Sequence, residues 1–172
     1  MAQTFPSALT ASRWILRALI PLNLLFGALM IGFFVLSLVA GDFVMRAIKL
    51  EGGDPMALLQ GMRVVLATFI VSIGVTHILL RQLLAIVESV RRGDAFVIAN
   101  AARLRTMAWA LLGLELLKGV IAAAAAAALS GTGVDMDSNF SITPWLAILL
   151  LFVLAQVFED GTRMRDDLSG TV

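Results

Sequence analysis

Four long apolar segments limit what this chain can fold into more than any other feature of its sequence. They cover residues 18–40, 64–80, 107–129 and 142–158 of a chain of 172 residues. Each approaches the roughly 20 apolar residues that an α-helix needs to cross about 30 Å of hydrocarbon, although the second and fourth are near the lower limit. The sequence therefore predicts an all-α fold, a single transmembrane domain built as an integral membrane four-helix bundle.

The composition agrees with a membrane-spanning chain. Hydrophobic residues make up 60% of it and charged residues 15%, and the mean hydropathy is +0.95. A soluble domain of this size would expose too much apolar surface to water. The net charge of +1 provides no basic field, so direct nucleic-acid binding is not expected. We expect the first segment to be retained, because it is too long for a signal-peptide core and lacks a good cleavage site.

The distribution of basic residues predicts the orientation of the spans. Three basic residues lie on one side, and these are Arg46, Lys49 and Arg63. Nine lie on the other side, and these are Arg13, Arg17, Arg81, Arg91, Arg92, Arg103, Arg105, Arg163 and Arg165. By the positive-inside rule we expect both termini inside, with a cytoplasmic loop over residues 81–106 and a cytoplasmic tail over residues 159–172. Most of the 13 basic residues are arginine, which suggests a bacterial source and the bacterial inner (cytoplasmic) membrane.

The cytoplasmic loop has the most marked pattern outside the spans. Gly93 is suited to the left-handed backbone position that ends a helix, and Asp94 is suited to cap the next one. We therefore expect a short separate cytoplasmic helix that starts near Ala95.

Loop and tail residues together form a candidate partner surface. Phe96 and Leu104 would lie at the lipid headgroups, while Arg103 and Arg105 would meet lipid phosphates or acidic groups of the tail. The loop can be interpreted either as an ordinary basic turn beside the membrane or as a dedicated docking surface. The candidate residues are Arg91, Arg92, Gly93, Phe96, Asn100, Arg103, Arg105, Phe158, Gly161, Arg163 and Arg165.

Polar side chains within the spans are candidates for an intramembrane site, because polar groups in hydrocarbon are costly and usually face protein or water. They are predicted to form one polar layer, and they are Asn23, His77, Glu115, Lys118 and Gln156. Glu115 and Lys118 are three residues apart and can neutralise each other as an ion pair. His77 can reach the headgroups or a neighbouring helix, and a metal or proton-relay role is the alternative.

The sequence carries no signature of catalysis. One histidine and no cysteine exclude a multi-histidine metal or haem site within one copy, and they exclude thiol chemistry. The sequence also has no glycine loop that could cradle a phosphate and no nucleophile paired with a base. We therefore expect no enzymatic activity, no cofactor and no metal site.

Small residues predict where helices approach closely in lipid. An unbroken alanine run covers residues 122–128, and Ala28 with Gly32 shows a four-residue spacing. Either contact can lie inside the bundle or form the seam of a homo-oligomer.

Two stretches carry a family pattern: the loop Gly93-Asp-Ala-Phe96 with Asn100 and Leu104-Arg105, and the tail Val157-Phe158 with Glu159-Asp160-Gly161 through Val172. They resemble a bacterial domain-of-unknown-function family, the YoaS-like four-helix membrane proteins. The resemblance covers nearly the whole chain in layout, although Asp94 departs from the proline most frequent there. Family members are commonly encoded beside a small helix-turn-helix regulator. The resemblance therefore implies a membrane partner for a DNA-binding protein, and no catalytic residues.

The cytoplasmic position of both stretches favours a non-enzymatic sensor or sequestering partner of a cytoplasmic transcription regulator. A small oligomeric transporter or channel that uses the polar layer as its path is one alternative. An accessory subunit of a membrane complex is another.

Overall fold

The structure, a computed structural model, describes residues 5–41, 43, 55–129 and 141–169. These residues form four α-helices, which we number α1 (Phe5–Val39), α2 (Pro55–Arg91), α3 (Ile98–Leu129) and α4 (Thr143–Ser169). All four are long and apolar enough to cross a membrane. The predicted all-α, multi-pass membrane fold is therefore confirmed. Two basic residues of the orientation count, Arg46 and Lys49, and the last three residues of the tail lie outside the described residues.

The helices are longer than the apolar segments from which they were predicted. The helix α2 has 37 residues, about 55 Å at 1.5 Å per residue, whereas the hydrocarbon of a bilayer is about 30 Å thick. The predicted span over residues 64–80 is therefore the middle of a helix that extends beyond it at both ends.

The expected separate helix between the second and third spans is wrong. The helix α3 begins at Ile98 and continues without interruption to Leu129. The residues from Ile98 to Leu104 include three alanines and an arginine, which favour the helix, and no glycine or proline that could stop it. The loop helix is therefore the first two turns of α3.

Each helix contacts only its neighbours in the sequence. The contacting pairs among the described residues are α1 with α2, α2 with α3, and α3 with α4. In these parts of the chain, no Cα atom of α1 lies within 8 Å of one in α3 or α4, and none of α2 lies within 8 Å of one in α4. The bundle is therefore an open row of helices.

A glycine sets the close approach of α1 to α2. A Cβ atom on Gly27 would lie 3.1 Å from Cγ2 of Ile73, so the two backbones come closer than larger residues would permit. Ala28 and Gly32 do not pack inside the bundle, because both residues are exposed, and the alternative that they form the seam of a homo-oligomer stays a prediction. Their neighbour Gly27 makes the contact instead, since it is on the side of α1 that faces α2.

At one end of the row the starts of α1 and α3 lie beside the ends of α2 and α4. Nη2 of Arg17 is 3.0 Å from Oε1 of Glu88, which joins α1 to α2. Nη2 of Arg105 is 2.7 Å from Oε2 of Glu159, which joins α3 to α4. We call this end, which carries residues 88–105, the turn end.

Arg63 belongs to the opposite end and lies between two helices. Its Nη2 donates a hydrogen bond of 2.5 Å to the carbonyl oxygen of Ser37, and Ser37 is fully buried. This arginine therefore contributes to the packing of α1 on α2, and it is not a loop charge as the orientation count assumed.

Candidate functional site

A tight turn over residues 92–97 connects α2 to α3 at the turn end. Gly93 has a φ of +87°, as expected for a glycine that ends a helix. The amides of Arg92 and Asp94 both donate to the carbonyl oxygen of Ser89, at 3.0 and 3.1 Å. The last carbonyls of α2 are thus satisfied by the turn itself, and the prediction for Gly93 is confirmed.

Replacing Gly93 by alanine is expected to destabilise the protein by about 1–2 kcal/mol, because a side chain disfavours a positive φ. A Cβ atom there would meet nothing within 4 Å, so the cost is purely conformational. Gly93→Asn should cost less, since asparagine tolerates the left-handed region better. Thermal unfolding in detergent micelles checks both variants, and equal midpoints for the alanine variant and the wild type would contradict the expectation.

The buried side chain of Asn100 stabilises the turn. Its side chain is 0% exposed, and its Nδ2 donates to the carbonyl oxygen of Ala95 at 2.8 Å and to Oγ of Ser89 at 3.1 Å. Its Oδ1 accepts a hydrogen bond of 2.6 Å from Nη1 of Arg103. Ser89 in turn donates to the carbonyl oxygen of Asp94 at 2.5 Å. The turn is therefore fixed to both α2 and α3 by buried hydrogen bonds.

The turn also contacts α4. The rings of Phe96 and Phe158 lie 5.4 Å apart between centroids, and a Cβ atom on Gly161 would lie 2.8 Å from the Phe96 ring. Arg165 donates to the carbonyl oxygen of Phe96 at 3.2 Å, and its Nη2 lies 3.6 Å from Oδ1 of Asp94. Loop and tail, 69 residues apart at this contact, therefore form one continuous surface.

The two loop arginines have different partners. Arg105 pairs with Glu159 at 2.7 Å, which confirms the expectation that it meets an acidic group of the tail. Glu159 also accepts a hydrogen bond of 2.9 Å from Arg163. Arg103 instead bonds Asn100 and pairs with no acid of the described tail residues, while its expected contact with lipid phosphates stays a prediction. Arg103 reaches the buried amide oxygen of Asn100, which needs a hydrogen-bond donor.

Leu104 also departs from its expected place at the lipid headgroups. It is buried within the bundle, because it lies one turn from Asn100 on the inner face of α3. Phe96 stays partly exposed while its ring packs on Phe158.

Sequence reasoning did not single out two carboxylates and one hydroxyl of the turn end. Glu88 accepts a hydrogen bond of 3.0 Å from Arg17 and lies 3.6 Å from Arg13, while Glu159 bridges α3 and α4. Both acids could have been found as negative charges among the nine arginines on one side. Ser89 gave no such signal, because its role depends on the buried amide of Asn100.

Several exposed arginines lie on the outer side of the turn end. Arg91 and Arg92 are exposed at the end of α2, and the side chains of Arg163 and Arg165 are 68% and 53% exposed. We call Arg91 and the turn over residues 92–97, together with Arg105, Arg163 and Arg165, the docking surface. Guanidinium groups can bind carboxylates or other anionic groups of a partner.

The predicted polar layer is not a single network. Asn23 donates to the carbonyl oxygen of Ile73 at 3.2 Å, across the α1–α2 interface. His77 is half-buried, and its buried Nδ1 has no hydrogen-bond partner among the described residues. Gln156 is exposed and donates to Asp160 of its own helix at 3.2 Å. These contacts are separate within one copy of the chain, and the alternative of an oligomeric transporter stays a prediction.

Glu115 and Lys118 form the ion pair that their spacing predicts, with 2.9 Å between Nζ and Oε1. No group of three or more histidine, cysteine, aspartate or glutamate residues in the described ranges could hold a metal ion.

Comparisons with known protein families, curated proteins and solved structures found no match to this chain. The resemblance to the YoaS-like proteins therefore stays a prediction from the loop and tail residues.

Proposed function

We propose that this protein is a non-enzymatic sensor or sequestering partner in the bacterial inner membrane, with both termini in the cytoplasm. Its docking surface would hold a cytoplasmic protein, in the first place a helix-turn-helix transcription regulator of the kind that the family resemblance implies. The observation that carries the proposal is the joining of loop and tail through Phe96, Phe158 and Arg165.

The charges of the docking surface support a protein partner with an acidic patch. Two carboxylates in and beside the docking surface already have partners. Glu159 contacts two arginines, and Asp94 lies near Arg165. Arg91 and Arg92 add two exposed positive charges where α2 ends and the turn begins. Arg105, Arg163 and Arg165 are held in place by their contacts, and charged groups that are positioned in advance lose little conformational freedom on binding.

Reversing the charges of Arg91 and Arg92 to glutamate is expected to lower recovery of the partner by about tenfold or more, since charge reversal at an interface is repulsive. The measurement is co-purification of the neighbouring-gene regulator with the tagged protein from native membranes, after crosslinking. We chose these two arginines because Arg103 fixes Asn100, so its reversal would disturb the turn.

The matched control is Arg91→Lys with Arg92→Lys, which preserves both charges and should retain the partner. The lysine variant should show the thermal stability of the wild type, because neither residue is buried. The glutamate variant should lose no more than about 1 kcal/mol, because a carboxylate in the last turn of α2 opposes the helix dipole. Unchanged recovery of the regulator with the glutamate variant would contradict the proposal.

A further inference from the structure

An ion pair lies half-exposed in the middle of a membrane-spanning helix. Lys118 is at the centre of the apolar segment over residues 107–129. Its side chain is 47% exposed, and that of Glu115 is 16% exposed. Charged groups at this depth normally face protein or water, because their burial in hydrocarbon is costly. The four helices of one chain cover most of Glu115 but leave Lys118 half-exposed.

The neighbouring helix offers Lys118 little compensation. Lys118 lines a groove of about 280 Å³ between α2 and α3, whose other lining is mostly apolar. The hydroxyl groups of Thr68 and Ser72 line the same groove, but each donates to a carbonyl of α2 itself. Among the residues that the structure describes, the ammonium group has one hydrogen bond, to Glu115, and the Lys118 side chain stays 47% exposed.

Small residues flank the ion pair where another helix could approach. Gly119 and Ala122 follow Glu115 and Lys118 by one turn each, and both are exposed. A Cβ atom on Gly119 would meet nothing within 4 Å. The alanine run is therefore not packed inside the bundle at Ala122, Ala123 and Ala124, which are all exposed. Small residues at such a position permit close backbone contact between helices in lipid.

We propose that this face of α3, formed by Glu115, Lys118, Gly119 and Ala122, is the contact surface for a second copy of this chain. A two-fold axis along the membrane normal would place Glu115 of each copy beside Lys118 of the other. One copy carries both charges of the contact, so the surface is self-complementary, as a two-fold interface requires. The four charges form a neutral cluster that the two α3 helices shield from lipid.

Charge variants distinguish ion pairs formed between two copies from the ion pair within one helix. Glu115→Lys and Lys118→Glu each destroy the pair within α3 and put two like charges on the face. Each variant alone is expected to lower the dimer fraction by about tenfold or more, because like charges within a span repel and are costly. Co-expression of the two variants should restore a mixed dimer to within about twofold of the wild type. Differently tagged copies and co-purification in mild detergent measure this recovery.

Cysteine crosslinking locates the interface without relying on charge. The chain has no cysteine, so a single Ala122→Cys reports on one position alone. Oxidation in native membranes should give a disulfide-linked dimer, since two-fold contact brings the two Cα atoms within the roughly 4.4–6.8 Å that a disulfide spans. Val120→Cys is the matched control, because Val120 is exposed at the same depth on nearly the opposite side of α3.

The two experiments distinguish a second copy of the chain from lipid and from another protein at this face of α3. Equal crosslinking at Ala122 and Val120, or none at Ala122, would overturn the proposal in favour of lipid. Failure of the co-expressed charge variants to form a mixed dimer, while each folds and reaches the membrane, would also overturn it. Crosslinking of Ala122→Cys to a different protein, with no dimer, would assign the face to another partner.

Discussion

Replacing Asn100 by alanine is expected to lower the free energy of unfolding by about 2–4 kcal/mol, because each buried polar group that loses its partner costs roughly 1–3 kcal/mol. The variant removes the donor of the Ala95 carbonyl and a donor to Ser89. It also removes the acceptor of Arg103. Thermal unfolding in detergent, followed by circular dichroism, should show a lower midpoint and a less cooperative transition.

The control for this variant is Thr106→Ala. Thr106 is an exposed residue six positions further along α3, and its hydroxyl donates to the carbonyl oxygen of Ala102 in its own helix. We expect it to change stability by less than about 0.5 kcal/mol, as is usual for surface substitutions. If both variants unfold at the same temperature, the hydrogen bonds of Asn100 do not hold the turn.

Replacing Gly161 by alanine is expected to separate the tail from the turn. The new Cβ atom would lie 2.8 Å from Cδ1 and 3.0 Å from Cε1 of Phe96, and this ring is already packed on Phe158. Overpacking of this kind costs about 1–3 kcal/mol, partly offset by up to about 1 kcal/mol from the better helix propensity of alanine. Because the contact joins both parts of the docking surface, recovery of the partner should fall together with stability.

Gly113→Ala is the matched control for Gly161→Ala. A Cβ atom on Gly113 would meet nothing within 4 Å, so the substitution adds helix propensity without steric conflict. Its stability should equal or exceed that of the wild type, and its partner recovery should be unchanged. Partner recovery that is normal in the Gly161 variant would show that the tail and the turn bind independently.

The parts of the fold that depend on local sequence were predictable. Four apolar runs predicted four helices, because a span must satisfy its backbone polar groups internally. Gly93 predicted the end of α2, since the left-handed backbone conformation that ends a helix is favoured by glycine itself and does not depend on distant residues. Glu115 and Lys118 are neighbours on any helix, so their spacing alone predicted the pair.

The partners chosen by side chains at the turn end were not predictable in the same way. Arg103 and Arg105 are two residues apart in one basic stretch, yet one bonds Asn100 and the other bonds Glu159 of α4. The choice depends on how α3 is rotated against its neighbours, and amphipathic patterning does not define that rotation when both faces of a helix are apolar. For the same reason the close approach on α1 was assigned to Ala28 and Gly32 and not to Gly27.

The open row of helices also bears on how the chain is assembled during synthesis. Since α1 packs only on α2 among the described helices, this first hairpin can form its native contacts before α3 leaves the ribosome. Contacts between elements that are close in the chain require little loop closure and favour rapid assembly. The second hairpin, formed by α3 and α4, is completed last, when Arg165 and Gly161 come into contact with Phe96 of the turn. The docking surface would therefore exist only on chains whose translation has been completed through α4.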